Sequence, residues 1–118
     1  MIDIKPDVLT ALQAVPGVKA VTDAYPTDWG KLPAISFYEA SNRDPLGIAA
    51  GPLSDVAVQV DIWHTRSTGA LASAVDSALN AIGLRREMAA DVPDPSGIKH
   101  KTMRYRGVVD VRSGRVSQ

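Results

Sequence analysis

Ser54-Asp55-Val56-Ala57-Val58-Gln59-Val60-Asp61-Ile62-Trp63 changes character at nearly every step. Successive strand side chains point to opposite sides, so Val56, Val58, Val60 and Ile62 share one face. Asp55, Ala57, Gln59, Asp61 and Trp63 share the other. The pattern predicts a half-buried strand with an aliphatic floor. A polar turn, residues 64–67, follows, and then the period changes. Leu71, Val75, Ala78, Leu79 and Ile82 recur at helical spacing. Ser67 or Thr68 is placed to cap that helix, and Gly83 supplies a left-handed stop. No obvious catalytic group lies within this strand–turn–helix unit.

Upstream, Pro6 suits a first helical turn, where its missing N–H would have no partner, and Asp7 suits the positive end of the helix dipole. Val8, Leu12 and Val15 make one stripe, with Leu9 beside it, and Pro16-Gly17 closes a helix running from Pro6 to Ala14. Residues 18–25 carry enough β-branched character for a short strand. Trp29 lies in the loop that follows, where it reads as a plug over the core edge ahead of a ligand platform. Residues 34–40 alternate as a strand, with Ile35 and Phe37 on one side and Ser36 and Tyr38 on the other. Residues 41–53 are rich in turn formers yet hold Leu46, Ile48 and Leu53. Apolar side chains on such a segment point to a partner surface that orders on contact, or to a hairpin flap folded on its own domain.

Downstream, residues 84–90 form a strand with Leu84, Arg86, Met88 and Ala90 on one side. Residues 91–97 are a turn cluster, and the last strand spans 99–112. In it Met103, Tyr105, Val109 and Val111 face the core, while Thr102, Arg104, Arg106, Asp110 and Arg112 face away. Gly107 marks a bulge or a close backbone approach. Residues 113–118 read as a mobile polar tail. The expected fold is α+β: an antiparallel-rich sheet of four to five strands with two helices packed on one face. The opposite face carries Gln59, Asp61, Arg104, Arg106, Asp110 and Arg112, and meets water or another subunit.

At 118 residues the chain fits one domain, 1–118. A domain of that size buries about two-thirds of its unfolded surface. Thirteen basic residues balance thirteen acidic ones. That balance argues against a dedicated nucleic-acid binder and leaves little repulsion between copies. With no cysteine, disulfides, thiolate metal ligands and thiol nucleophiles are excluded. The opening Met1 to Pro6 lacks the basic and apolar regions of a secretion signal, and no apolar run is long enough for a bilayer, so a cytoplasmic site of synthesis and no membrane partner are expected.

An enzyme would have to use Asp61, His64, His100 and Asp94. Asp61 and His64, three residues apart at a strand end, could pair as an oriented base, but no nucleophile motif or phosphate loop accompanies them. Two histidines 36 positions apart give no metal-ligand spacing. The expectation is no enzyme, no cofactor and no metal, with both histidines solvated. Lys99, Lys101, Arg104, Arg106, Arg112 and Arg115 make a basic run on the last strand. It lacks neighbouring stacking aromatics, because Tyr105 faces the core, so a solvated or ion-paired face is expected ahead of an RNA platform.

The Val-Gln-Val-Asp-Ile-Trp strand end, its short polar turn and its alanine-rich helix resemble the tail-completion, or tail-terminator, proteins of long-tailed phages, prophages and gene transfer agents. The likeness continues in Pro33-Ala34-Ile35-Ser36-Phe37, in the Asp94-Pro95-Ser96-Gly97 turn and in Lys101-Thr102-Met103-Arg104-Tyr105-Arg106, covering about 6–111. It implies a structural virion protein with no catalytic residues. Copies would form a homo-hexameric ring on a tail tube, end tube growth and present the head-tail joining surface. Its partners would be itself, the tail tube protein and a head connector or stopper protein. It would assemble in the host cytoplasm and end in the virion. Another head-completion protein of the same particle is the alternative, and a small nucleic-acid-binding domain stands behind both. Interface candidates are Leu46, Ile48 and Leu53 from the loop, and Asp61, Arg104, Arg106 and Arg112 from the sheet face. Closed rings join unlike patches, so Arg104 and Arg106 are expected to meet a neighbour's acids.

Overall fold

The computed structural model describes residues 3–43, 53–110 and 116–117. In chain order the elements are α1 (Lys5–Gln13), β1 (Ala20–Asp23), β2 (Ala34–Arg43), β3 (Leu53–His64), α2 (Gly69–Ala81), β4 (Arg85–Val92), β5 (Lys99–Asp110) and β6 (Val116–Ser117). The sheet runs β1-β2-β3-β5-β4, and β6 pairs with β5 where β4 has ended. Every pairing is antiparallel except β1 with β2. The fold is therefore α+β, as expected, with the helices packed on the sheet.

The aliphatic floor of β3 seats both helices. Val56, Val58, Val60 and Ile62 join Ile4, Val8, Leu12 and Val15 of the α1 region, Val75 and Leu79 of α2, and Met103, Tyr105 and Val109 of β5 in one buried cluster. Each fully buried aliphatic side chain contributes about 1.5–3 kcal/mol. One polar bond adds to the α2 contact: the Tyr105 hydroxyl donates to Asp76 Oδ1 at 2.7 Å. Gly83 ends α2 at φ 95°, a conformation that costs an L side chain energy and a glycine almost none. Ser67, not Thr68, supplies a side-chain acceptor near the start of α2, taking the Gly69 N–H at 3.3 Å.

Several expectations are corrected. β2 extends to Arg43 and β3 begins at Leu53, so residues 41–43 belong to the ladder and the irregular segment is shorter than 41–53. Leu46 and Ile48 lie outside the described residues. Val116 and Ser117 pair with Val109 and Val108, so this part of the tail is tied to the sheet. Gly107 causes no break: β5 passes it in register with Val56. The register shifts lie elsewhere, between Glu39 and Ser41 and between Arg86 and Met88. The second shift overturns the expected face of β4. Arg86 pairs with Tyr105 on the helix side, whereas Met88 pairs with Arg104 on the opposite side.

Candidate interaction face

The helices leave one sheet face free, and register places its side chains. Tyr38, Gln59, Arg104 and Met88 form one row across four strands. Ser36, Asp61, Thr102 and Ala90 form the next, and Ala34, Trp63, His100 and Val92 the one after. Of the predicted site residues, Asp61, Arg104 and Arg106 come together here. The backbone of Leu53 starts β3, and Arg112 lies outside the described residues.

The β3 side of this face is not solvated. Ala57, Gln59, Asp61 and Trp63 are only 1%, 7%, 9% and 4% exposed, although no helix covers them. Long side chains of the flanking strands lie over them. Arg104 Nε donates to Gln59 Oε1 at 3.2 Å, and the Gln59 amide nitrogen donates to the Thr102 hydroxyl. Arg106 stands between Asp55 at 3.4 Å and Glu87 at 2.7 Å. Within the chain Arg106 thus holds β5 to both neighbouring strands.

At one end of the face, His100 stacks on Trp63 with ring centres 3.7 Å apart and planes 12° from parallel. His100 Nε2 lies 2.7 Å from Asp61 Oδ1, and both side chains are largely buried. Two expectations fall together here. Asp61 pairs with His100 across the strands, not with His64 along its own. His100 is also not a solvated strand entrance. His64 turns away, its Nδ1 accepting the Thr65 N–H at 2.9 Å. The Trp63 indole donates to the Ser36 hydroxyl at 3.0 Å. Tyr25 and Trp29 meet the Trp63 ring edge to face, at 5.1 and 5.3 Å. Trp29 thus packs over the buried Trp63 at the edge of the helix-free face. It is 42% exposed beside Tyr25, which follows the left-handed turn at Ala24.

A cleft of about 460 Å³ opens next to this end, lined by Thr68, Asp94, Lys99 and His100 among others. Asp94 accepts the Ser96 N–H at 2.9 Å, and hydrogen bonds from Ser96 hold its carboxyl below the usual range. Asp94 thereby closes this turn. Among the described residues no group of three or more His, Asp or Glu side chains is arranged to hold a metal.

The large hydrophobic side chains left exposed among the described residues are Tyr25, Trp29, Tyr38, Met88 and Val92, at 38% to 56%. Tyr38, Met88 and Val92 are on the helix-free face by register, and Tyr25 and Trp29 pack on Trp63, which faces the same way. Sequence reasoning missed these five as a group. Tyr38 was legible from its alternation with Phe37, whereas Met88 reaches this face only through the β4 bulge. No family model matches the chain, and no curated protein matches it.

Proposed function

We propose that this chain is a structural protein that acts through its helix-free sheet face, as a tail-completion protein that caps a phage tail tube in a ring. The observation that carries the reading is the segregation of exposed Tyr25, Trp29, Tyr38, Met88 and Val92 to that one face, in a chain of zero net charge. Scattered exposed apolar residues need no explanation, but their collection on one face marks a contact surface. The sequence resemblance supplies the kind of partner: further copies of the chain, a tail tube protein and a head connector protein. The sheet supports a ring in another respect. Among the described residues its two edges are unlike, β4 on one side and β1 followed by the far half of β2 on the other, and heterologous ring contacts need two unlike patches. Such a role requires no acid–base pair.

One observation favours a second reading. Tyr25, Trp29 and Tyr38 share their face with Arg104, and exposed aromatics with arginine on an open sheet can stack single-stranded nucleic acid. Light scattering and electron microscopy of the purified protein, alone and mixed with its tail tube protein, test the first reading. Six-membered rings, free or at tube ends, are expected. A chain that stays monomeric with tubes present and shifts an oligonucleotide instead would favour the second.

A further inference from the structure

We infer that Arg104 is the docking point for a carboxylate that a partner protein presents between apolar side chains. The inference rests on the proposed contact role of the helix-free face, but not on which particle the partner belongs to.

Arg106, His100 and Arg104, neighbours along β5 on this face, have different surroundings. Arg106 is spent between Asp55 and Glu87, and His100 lies against Asp61. Arg104 has no carboxylate within ion-pair distance among the described residues; its one hydrogen bond goes from Nε to the neutral Gln59 amide. Gln59 cannot turn freely, because its nitrogen is engaged by Thr102. Its oxygen therefore fixes the Arg104 guanidinium from the Nε side and, among the described residues, leaves the terminal nitrogens without a hydrogen bond. A planar fork held in this way matches a carboxylate with two parallel bonds, and little further side-chain freedom is lost on binding.

The neighbours define the rest of the partner. Tyr38 and Met88, in the same row and both exposed, flank Arg104 across a span of about 14 Å, three strand spacings. They offer apolar contact on either side of the charge. A phosphate backbone would need several uncompensated cations in line. Asp55, Asp61 and Glu87 share the face and are met by Arg106 and His100, and Arg85 and Arg43 lie in other rows, so the row of Tyr38, Gln59, Arg104 and Met88 holds one cation, which fits one acidic side chain and not a polyanion.

The test is a titration of the full chain followed by the Arg104 Nε–H, Met88 methyl and Tyr38 ring signals in NMR. The probes are acetyl-Leu-Glu-Leu-amide, acetyl-Leu-Gln-Leu-amide and an oligothymidylate. The glutamate peptide should shift all three signals saturably, with affinity on the order of millimolar, and roughly fivefold or more tighter than the glutamine peptide. Arg104→Ala should abolish the response, and Arg104→Lys should weaken it by removing the fork while keeping the charge. Arg85→Ala, which removes an equal charge from the next row of the same face, should leave it unchanged. Equal response to the two peptides, or tighter binding of the oligothymidylate with equal loss in Arg104→Ala and Arg85→Ala, overturns the inference. The peptide pair on the unmodified protein decides the matter if Arg104→Ala fails to fold. Tube capping without peptide discrimination would sink this inference and leave the proposed function standing; discrimination without capping would do the reverse.

Discussion

Replacing Tyr105 by Phe removes one oxygen from the middle of the sheet and should loosen α2. The Tyr105 ring is fully buried in the core, and its hydroxyl reaches Asp76 on α2 at 2.7 Å. A hydrogen bond to a charged group is worth about 1.5–3 kcal/mol net. Asp76 keeps other company, with Asn80 at 3.3 Å and Arg86 at 3.6 Å, and its side chain is 29% exposed, so water replaces part of what is lost. The expected cost is therefore about 1–2 kcal/mol. For 118 residues each kcal/mol lowers the melting temperature by about 4 °C, so a fall of about 4–8 °C is expected by calorimetry. A cycle with Asp76→Asn should recover most of this as coupling between the two positions. A Tyr105→Phe protein melting within about 1 °C of the original, or a cycle with no coupling, would refute the view that this bond fastens helix to sheet.

The same residue gives a pH prediction. Burial, with the hydrogen bond to Asp76 and the charge of Asp76, pushes the Tyr105 hydroxyl well above its ordinary value. The folded state thus holds the proton more tightly, so this stability is complete below the unfolded pKa of about 10 and is lost as pH rises beyond it. Urea midpoints should fall on the alkaline side of pH 10, less steeply in Tyr105→Phe. Val60→Asp sets a charge at a position with no exposure, and a cost of about 4 kcal/mol or more should leave it largely unfolded by circular dichroism. Arg106→Ala strands Asp55 and Glu87 beside each other and should cost about 1 kcal/mol or more in urea titration, while Arg104→Ala should cost less than Arg106→Ala. His100→Ala uncovers the Trp63 ring and should move tryptophan emission to longer wavelength; no movement would mean that the stack does not persist in solution.

The helix-side half of the fold was legible because its signals are local. The β3 alternation, the Val8, Leu12 and Val15 stripe and the stop at Gly83 each depend on neighbours a few residues away. The other half depends on pairings 27 to 51 residues apart in sequence, such as Trp63 with Ser36, Asp61 with His100 and Arg106 with Asp55. Nothing local to Asp61 distinguishes His100 from the nearer His64 as its partner. The outer half of β3 read as solvent-facing because Gln59 and Asp61 are polar. Arg104 and Thr102 engage Gln59 and His100 engages Asp61, all from β5, a strand distant in sequence. The β4 bulge had no glycine or proline to announce it, and it alone brings Met88 beside Arg104. The Arg104 and Arg106 candidates, equivalent by alternation, differ because, among the described residues, Arg106 has acids in reach and Arg104 does not.

The central claim is that the helix-free face works by capping a polymer. Its most direct measurement is the length distribution of tail tubes, by electron microscopy, grown from purified tube protein with and without this chain. Capped tubes bearing a terminal ring and no longer elongating on addition of fresh subunits are expected, with Arg104→Ala folding normally yet leaving tubes uncapped. Tubes that grow on unchanged in the presence of excess folded protein would contradict the account.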